Sequence, residues 1–282
     1  MKSTNHTEGD PVSTGGGFTR PALLIALTVA AAFYTFTRDK IPQDAHYHHF
    51  ADARKLAGVA NFSDVVSNVP FLMVGGVGMT VLIRTIRVGS RPTIHWFFWP
   101  YLLFFVGISL TAFGSIYYHL HPSNSTLLWD RLPMTVAFMA FLAIVLQERI
   151  DQRFGLLLAP LILLGAASAL HWHVTESRGA GDLRLYGFVQ FYPMLLIPII
   201  IALYPRKYIR AKDIGGILGL YVLAKGFELA DRQVYELTGF VSGHTLKHLV
   251  AALAALWVVG LLTRQTRYAN ATPWPAERAA SS

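Results

Sequence analysis

The feature that most constrains this chain is a series of long apolar segments. Eight of them fill most of its 282 residues, and each is close to the length that crosses a bilayer as a helix. They run over residues 21–37, 61–83, 96–119, 127–147, 154–172, 185–204, 214–230 and 244–263. Backbone polar groups in lipid must be bonded internally, so such segments span as helices. The sequence therefore predicts an all-α fold, a polytopic membrane helical bundle.

Composition agrees with a bilayer environment. The chain is 53% hydrophobic and 14% charged, whereas soluble domains have about 25% charged residues. Its net charge of +8 would suit nucleic acid in a soluble protein. Here the basic residues lie in short loops between apolar segments, so we expect the lipid bilayer as partner and no nucleic acid. No obligate protein partner is evident. Cysteine is absent, so any bound metal must be held by His, Asp or Glu.

The segments divide the chain into a tail, one separate helix, a compact unit and a second tail. Residues 1–20 are polar and are expected to be a disordered tail. Residues 21–37 are expected to be an extra N-terminal transmembrane helix, because the small-x-small pattern of a cleaved signal peptide is missing. The other seven segments are joined by short loops and form one unit. Residues 264–282 are expected to be a flexible tail.

Polar residues collect at one end of the predicted bundle. Five of the segments begin or end there with ionisable or hydrogen-bonding side chains. These are Asp64, Ser67 and Asn68; His119 and His121; Asp130; His171, His173 and Glu176; and His244 and His248. Ionisable residues are costly in a membrane and mark functional sites by default. The convergence predicts a site at this end.

Spacing suggests what the site binds. His244 and His248 lie four residues apart on one helix face, which suits two ligands of one metal ion. Ser115 precedes His119 by the same interval. Three neutral imidazoles with one open position are typical of catalytic zinc, and Asp130 could then accept a proton from bound water. Each residue also has a simpler interpretation: an interfacial polar group for the histidines, helix packing for Ser115, and a helix-terminal charge for Asp130.

The motifs also resemble those of a known family, the alkaline ceramidases. The matching stretches are Asn61 to Asn68, Ser115-x-x-x-His119, Asp130-Arg131-Leu132-Pro133-Met134 and His244-x-x-x-His248. Their order and helix placement agree over about residues 55–263. The set is similar to that of the wider CREST superfamily of membrane hydrolases, which includes the adiponectin and progestin receptors.

This resemblance implies a seven-helix ceramidase-like membrane domain over residues 55–263, preceded by the extra helix. It implies that His119, His244 and His248 bind Zn²⁺, that Asp130 handles the water proton and that Ser115 stabilises the oxyanion. The substrate would be a membrane lipid, a ceramide split into a sphingoid base and a fatty acid. Asn61 stands where the family has a glutamate, so calcium binding is doubtful.

Two other classes of function fit the same residues. One is a related hydrolase that acts on a different acyl lipid. The other is a non-enzymatic receptor or transport protein, although a transporter would hold its ionisable groups near the bilayer midplane rather than at one end.

The loop charges predict an orientation that can be tested. Fourteen Lys and Arg residues lie on the side that holds both termini, against seven on the other side. Positive loops stay in the cytoplasm, so we expect both termini there and the site near the non-cytoplasmic face. A reporter fused after Ser282 that is active only in the cytoplasm should be active. Activity only from a periplasmic or luminal reporter would contradict the eight-span arrangement.

Overall fold

The computed structural model describes residues 19–88, 94–204 and 209–271. Within these ranges it contains ten α-helices and no β-strand. The helices are α1 (Thr19–Phe36), α2 (Phe62–Val66), α3 (Val69–Val88), α4 (Ile94–Leu120), α5 (Asn124–Arg149), α6 (Leu158–Ser177), α7 (Arg184–Leu203), α8 (Ala211–Leu229), α9 (Asp231–Thr238) and α10 (Gly243–Ala271). The predicted tails lie outside the described residues over 1–18 and 272–282.

The chain divides into two compact units, residues 1–38 and 39–282. In the first, α1 is a helix of 18 residues with no buried side chain. Its apolar residues are open to the surroundings, as Phe33 illustrates at 72% exposed. A helix that is apolar on its outer surface suits lipid rather than water.

Among the residues that the structure describes, seven helices are long and apolar enough to cross a membrane. Their ranges are Thr19–Phe36, Phe62–Ile86, Phe97–Leu120, Asn124–Arg149, Gln152–Ser177, Arg184–Leu203 and Gly243–Arg264. The predicted all-α polytopic bundle is therefore confirmed. The sequence predicted eight spans, and the segment 214–230 does form a helix, α8, which falls outside this set.

Helix α8 differs because four charged residues lie near its two ends, and its acidic side chains are paired inside the bundle. Asp213 accepts hydrogen bonds from Arg264 at 2.8 Å and from the Trp257 indole at 3.2 Å, both on α10. At the other end, Glu228 is paired with two lysines. Internal pairing lowers the cost of burying such charges. A criterion based on hydropathy and the number of charges does not count this pairing, so it leaves α8 out of the set.

The second unit is built around α5. Every residue from Met139 to Arg149 is buried, and α4, α6 and α7 all pack against this helix. On the other side, α10 packs between α8 and α3, and α3 packs against α4. This arrangement brings the C-terminal end of α4 close to the N-terminal ends of α5 and α10.

Small residues allow the closest helix contacts. A Cβ added at Gly114 would lie 1.9 Å from the backbone oxygen of Trp129, and one at Gly107 would lie 2.9 Å from the Ala137 nitrogen. Glycine therefore lets α4 lie directly on α5, as small residues do at membrane helix contacts. Ser115 follows Gly114, so this contact also brings Ser115 to the level of Asp130.

We expect Gly114→Ala to destabilise the bundle, because its methyl group has no room against Trp129. Forcing a methylene into a packed core costs about 1–3 kcal/mol. Thermal unfolding in detergent should show a lower Tm for Gly114→Ala than for wild type. Gly76→Ala is the matched control, since a Cβ there meets nothing within 4 Å. Equal Tm values for the two variants would contradict this account of the α4–α5 contact.

Candidate metal centre

Three buried imidazoles meet where α4 ends and α10 begins. His119 lies in the last turn of α4, and His244 and His248 lie in the first two turns of α10. Their ring centroids are 4.9 Å (His119–His244), 5.1 Å (His119–His248) and 4.8 Å (His244–His248) apart. One nitrogen from each ring lies within 4.8 Å of the others. In the described parts of the chain, no other group of three or more His, Asp or Glu side chains comes together in this way.

The nitrogen atoms of this trio are short of protein partners. His119 is fully buried and neither ring nitrogen has a hydrogen bond; His244 Nε2 is also buried and unbonded. An unmet buried polar atom costs about 1–3 kcal/mol. A metal ion would satisfy one nitrogen of His119 and Nε2 of His244, and three imidazoles with an open fourth position are a catalytic zinc ligand set. The residues present therefore fit a bound metal ion.

The ring of His248 is oriented by the start of α3. Its Nδ1 lies 2.8 Å from Ser67 Oγ. The Ser67 hydroxyl donates its proton to the backbone oxygen of Asp64 at 3.0 Å, so Oγ is left to accept from His248 Nδ1–H. This tautomer leaves Nε2 with its lone pair for a ligand, which is how second-shell groups usually fix a metal-binding histidine.

The short helix α2 joins the two ends that supply the imidazoles. Asn61 has left-handed backbone angles (φ 48°) and donates from Nδ2 to the backbone oxygen of His119 at 2.7 Å. Three residues later, the buried Asp64 accepts from Thr245 Oγ1 at 2.7 Å. Asparagine tolerates this backbone conformation better than most residues. The motif 61–68 therefore holds the end of α4 against the start of α10.

The start of α10 is held from a second direction by Asp231 of α9. Its two carboxylate oxygens accept from the backbone nitrogens of His244 at 2.7 Å and of Ala51 at 2.9 Å. Gly243 makes this approach possible, because a Cβ there would lie 2.7 Å from the Asp231 Cα. A carboxylate at a helix N-terminus meets unpaired N–H groups and the positive end of the dipole.

Ser115 and Asp130 lie together beside the imidazoles. Ser115 is 2% exposed and one turn before His119, so both side chains are on one face of α4. The Asp130 carboxylate, 8% exposed, interacts with the Ser115 hydroxyl. The α4–α5 contact at Gly114 explains why residues from two helices come together here. The pair offers a hydroxyl and a carboxylate next to a potential metal ion.

Segment 39–61 covers this group of residues. The Phe50 ring lies 4.6 Å from the His119 ring and 5.1 Å from the His244 ring, measured between centroids. His48 fixes the segment, since its ring nitrogens lie 2.9 Å from Tyr118 OH and 3.0 Å from Asn124 Oδ1. The segment thus limits access to the imidazoles.

A network of charged residues adjoins the site. Lys247, between the two α10 histidines, donates to Glu228 Oε1 at 3.0 Å, and Lys225 also pairs with Glu228. Tyr47 of segment 39–61 donates to the same carboxylate at 3.3 Å. Burial and the charge of Glu228 raise the pKa of Tyr47 to about 12, so its hydroxyl remains a proton donor.

The polar residues at the end of α6 face other partners. His171 Nε2 lies 3.8 Å from Asp182, and Glu176 accepts from the backbone nitrogen of Gln43 at 3.1 Å. The guanidinium of Arg184 is bonded to both oxygens of Asp182 and lowers its pKa to about 2. These residues hold the α6–α7 loop and segment 39–61, and they do not join the imidazole trio.

Asp52, an acidic residue that precedes the motif 61–68, is also paired with a cation. Asp52 is 1% exposed and accepts two hydrogen bonds of 2.7 Å from the Arg54 guanidinium, which lowers the pKa of its carboxyl. Arg54 in turn donates to the backbone oxygen of Phe240. Asp52 and Asn61 thus serve as hydrogen-bond anchors for segment 39–61 and α4.

Comparison with known proteins identifies the family. A family model described as Ceramidase matches residues 55–263, about three quarters of the chain. The chain belongs to the ceramidase family. A search of curated proteins finds no match. The matched range includes the three imidazoles, Ser115, Asp130 and the motif 61–68. Ceramidase membership implies an enzyme that hydrolyses amide bonds, with a lipid substrate in a membrane.

The metal-binding capacity of the trio can be measured directly. Detergent-purified wild type should contain about one divalent ion per chain by mass spectrometry, and His248→Ala should lose most of it because one of three ligands is gone. His121→Ala is the control, since His121 is exposed beyond the end of the same helix. Metal-free wild type, or equal loss from both variants, would contradict the proposed ligand set.

Proposed function

We propose that this ceramidase-family chain is a membrane-embedded, zinc-dependent amidase that hydrolyses the N-acyl bond of ceramide-like lipids to a free amine base and a fatty acid. The observation that carries the proposal is the meeting of three buried, under-bonded imidazoles with a Ser–Asp pair. The family match supports amide hydrolysis, and the all-imidazole donor set favours zinc over calcium or magnesium, which prefer oxygen ligands.

Each residue has a chemical role in this reaction. His119, His244 and His248 would hold zinc, which supplies a Lewis acid and a water of pKa near 7. Asp130 takes a proton from the attacking water and passes it to the amine nitrogen as the C–N bond breaks. The Ser115 hydroxyl donates to the carbonyl oxygen as negative charge develops on it. The Phe50 ring lies over His119 and His244, where it limits the access of bulk water to the reacting groups.

An apolar cavity next to the site supports a lipid substrate. Its volume is about 130 Å³, close to that of engineered cavities that stay dry and bind benzene. Its lining begins one helical turn from the site towards the bundle centre: Thr111 is one turn before Ser115, Met134 one turn after Asp130, and Ala251 one turn after His248. The first few carbons of an acyl chain attached to a carbonyl at the imidazoles would therefore fit in this cavity.

The position of the charged residues argues against transport. One set lies beside the imidazoles, another that includes Asp213 and Glu148 lies at the opposite end of the bundle, and an apolar cavity occupies the interior between them. With both termini in the cytoplasm, as the loop charges favour, the end with the imidazoles faces the non-cytoplasmic leaflet. A lipid of that leaflet would present its amide to the site.

The decisive assay is release of fatty acid from N-acyl lipids by zinc-loaded protein in detergent. Asp130→Asn should lower kcat by about 10²–10⁴-fold, because it removes the general base, while the zinc content stays unchanged. Asp151→Asn is the control, as Asp151 is exposed at the opposite end of α5. Full activity in Asp130→Asn would remove its assigned role. Cleavage of ester lipids alone would replace the amidase proposal with a related acyl-lipid hydrolase.

A further inference from the structure

Arg131, the residue after Asp130, is buried in a cage of aromatic rings. It is 6% exposed. Its guanidinium carbon lies 4.1 Å from the Trp172 ring centroid, 4.7 Å from that of Tyr186 and 5.5 Å from that of Tyr47. Aromatic faces attract a guanidinium, but they neutralise none of its charge. The cage therefore holds a full positive charge out of water.

No carboxylate of the described chain lies within 4 Å of this guanidinium. Its side-chain hydrogen bond goes to the neutral amide oxygen of Gln43, at 2.7 Å. Arg131 Nη1 is buried without a partner, and so is Trp172 Nε1 in the same cage. A buried cation that lacks an anion is strongly unfavourable, and each unmet donor adds to the cost. Two adjacent donors are thus unoccupied.

The nearby acidic groups already have other partners. Glu228 accepts from Lys225, Lys247 and Tyr47, and Asp130 interacts with Ser115. Neither carboxylate is bonded to Arg131, so its positive charge has no anionic partner in the described chain and a ligand can neutralise it.

The cover over Arg131 comes from a loop rather than a helix. Gln43 and Tyr47 both belong to segment 39–61 and are only half-buried. Gln43 Oε1 occupies a position where a ligand oxygen would accept from the guanidinium. Displacing one neutral amide costs less than breaking an ion pair, so this acceptor is replaceable.

We propose that Arg131 and Trp172 form a head-group subsite that binds an anion, a carboxylate or phosphate, on the amine portion of the N-acyl lipid. The inference rests on the proposed amidase function, because Arg131 adjoins Asp130. A guanidinium fork binds two oxygens of such an anion, and the indole N–H offers a third donor. A site built with dedicated donors discriminates against substrates that lack the acceptor.

Matched substrates test this subsite. N-hexadecanoyl glycine and N-hexadecanoyl ethanolamine share the acyl chain and the amide, and they differ in a carboxylate against a hydroxymethyl group. Wild type should prefer the carboxylate by about tenfold or more in kcat/KM, the effect of one charge-assisted hydrogen bond. N-hexadecanoyl phosphoethanolamine then distinguishes phosphate from carboxylate recognition.

Variants separate recognition from packing. Arg131→Gln should bring the ratio of the two kcat/KM values to within about twofold of one, and Trp172→Phe, which keeps a ring but loses the donor, should lower it less. Arg131→Lys keeps the charge without the fork, so an intermediate ratio is expected and is informative even if Arg131→Gln fails to fold. Arg178→Gln removes an exposed charge at the same end and should leave the ratio unchanged.

The outcomes also distinguish this inference from the amidase proposal. Equal wild-type rates on the two amides, or a similar loss on both in Arg131→Gln, would overturn the subsite and leave the amidase intact. If wild type hydrolyses neither amide, calorimetric binding of N-hexadecanoyl glycine decides. Binding that Arg131→Gln weakens about tenfold would support the subsite without the amidase. Absence of binding would overturn the subsite, and the amidase proposal is then decided by fatty-acid release from ceramide itself.

Discussion

The contact between the end of α4 and the start of α10 determines the rest of this site. Neither helix can place all three imidazoles, because His119 comes from one and His244 and His248 come from the other. The two ends are joined through α2, where Asn61 bonds to the backbone of His119 and Asp64 bonds to Thr245. These side chains are buried, so their hydrogen bonds are not weakened by competing water. The polar motif 61–68 thus fixes the positions of the three imidazoles relative to one another.

Segment 39–61 has a different role from that of the helices. It has no regular α-helix of its own, yet it reaches every side of the site through individual bonds: Gln43 to α5, His48 to α4, Tyr47 to α8 and Ala51 to α9. Each bond is local and can be broken without unpacking a helix. The rigid bundle therefore positions the reacting groups, while the segment controls what reaches them through Phe50.

Periodicity and spacing made the helices and the imidazoles predictable, and both signals are short-range. Apolar runs of about 20 residues predicted the bundle, and the four-residue intervals at His244/His248 and Ser115/His119 predicted shared faces. Phe50 and Asp231 were missed, because an irregular segment and a short amphipathic helix have no spacing that points to a distant partner. Lys247 was visible between two candidate ligands, but its pairing with Glu228 depends on how α8 packs against α10. The span assignment of α8 differed for a related reason, since its charges are neutralised only in three dimensions.

Unmet hydrogen-bonding groups are informative when they are compared with the rest of the bundle. Several threonines of the spans donate their hydroxyl protons to backbone oxygens of the preceding turn, as Thr80, Thr111 and Thr263 do. Such local bonds satisfy a polar side chain without any partner helix. By contrast, both ring nitrogens of His119, Nη1 of Arg131 and Nε1 of Trp172 make no hydrogen bond to backbone or side chain. They lie within two neighbouring groups at one end of the bundle. Buried nitrogens without a protein partner are costly in a low-dielectric environment, and ligands outside the protein would complete the bonding of these two groups.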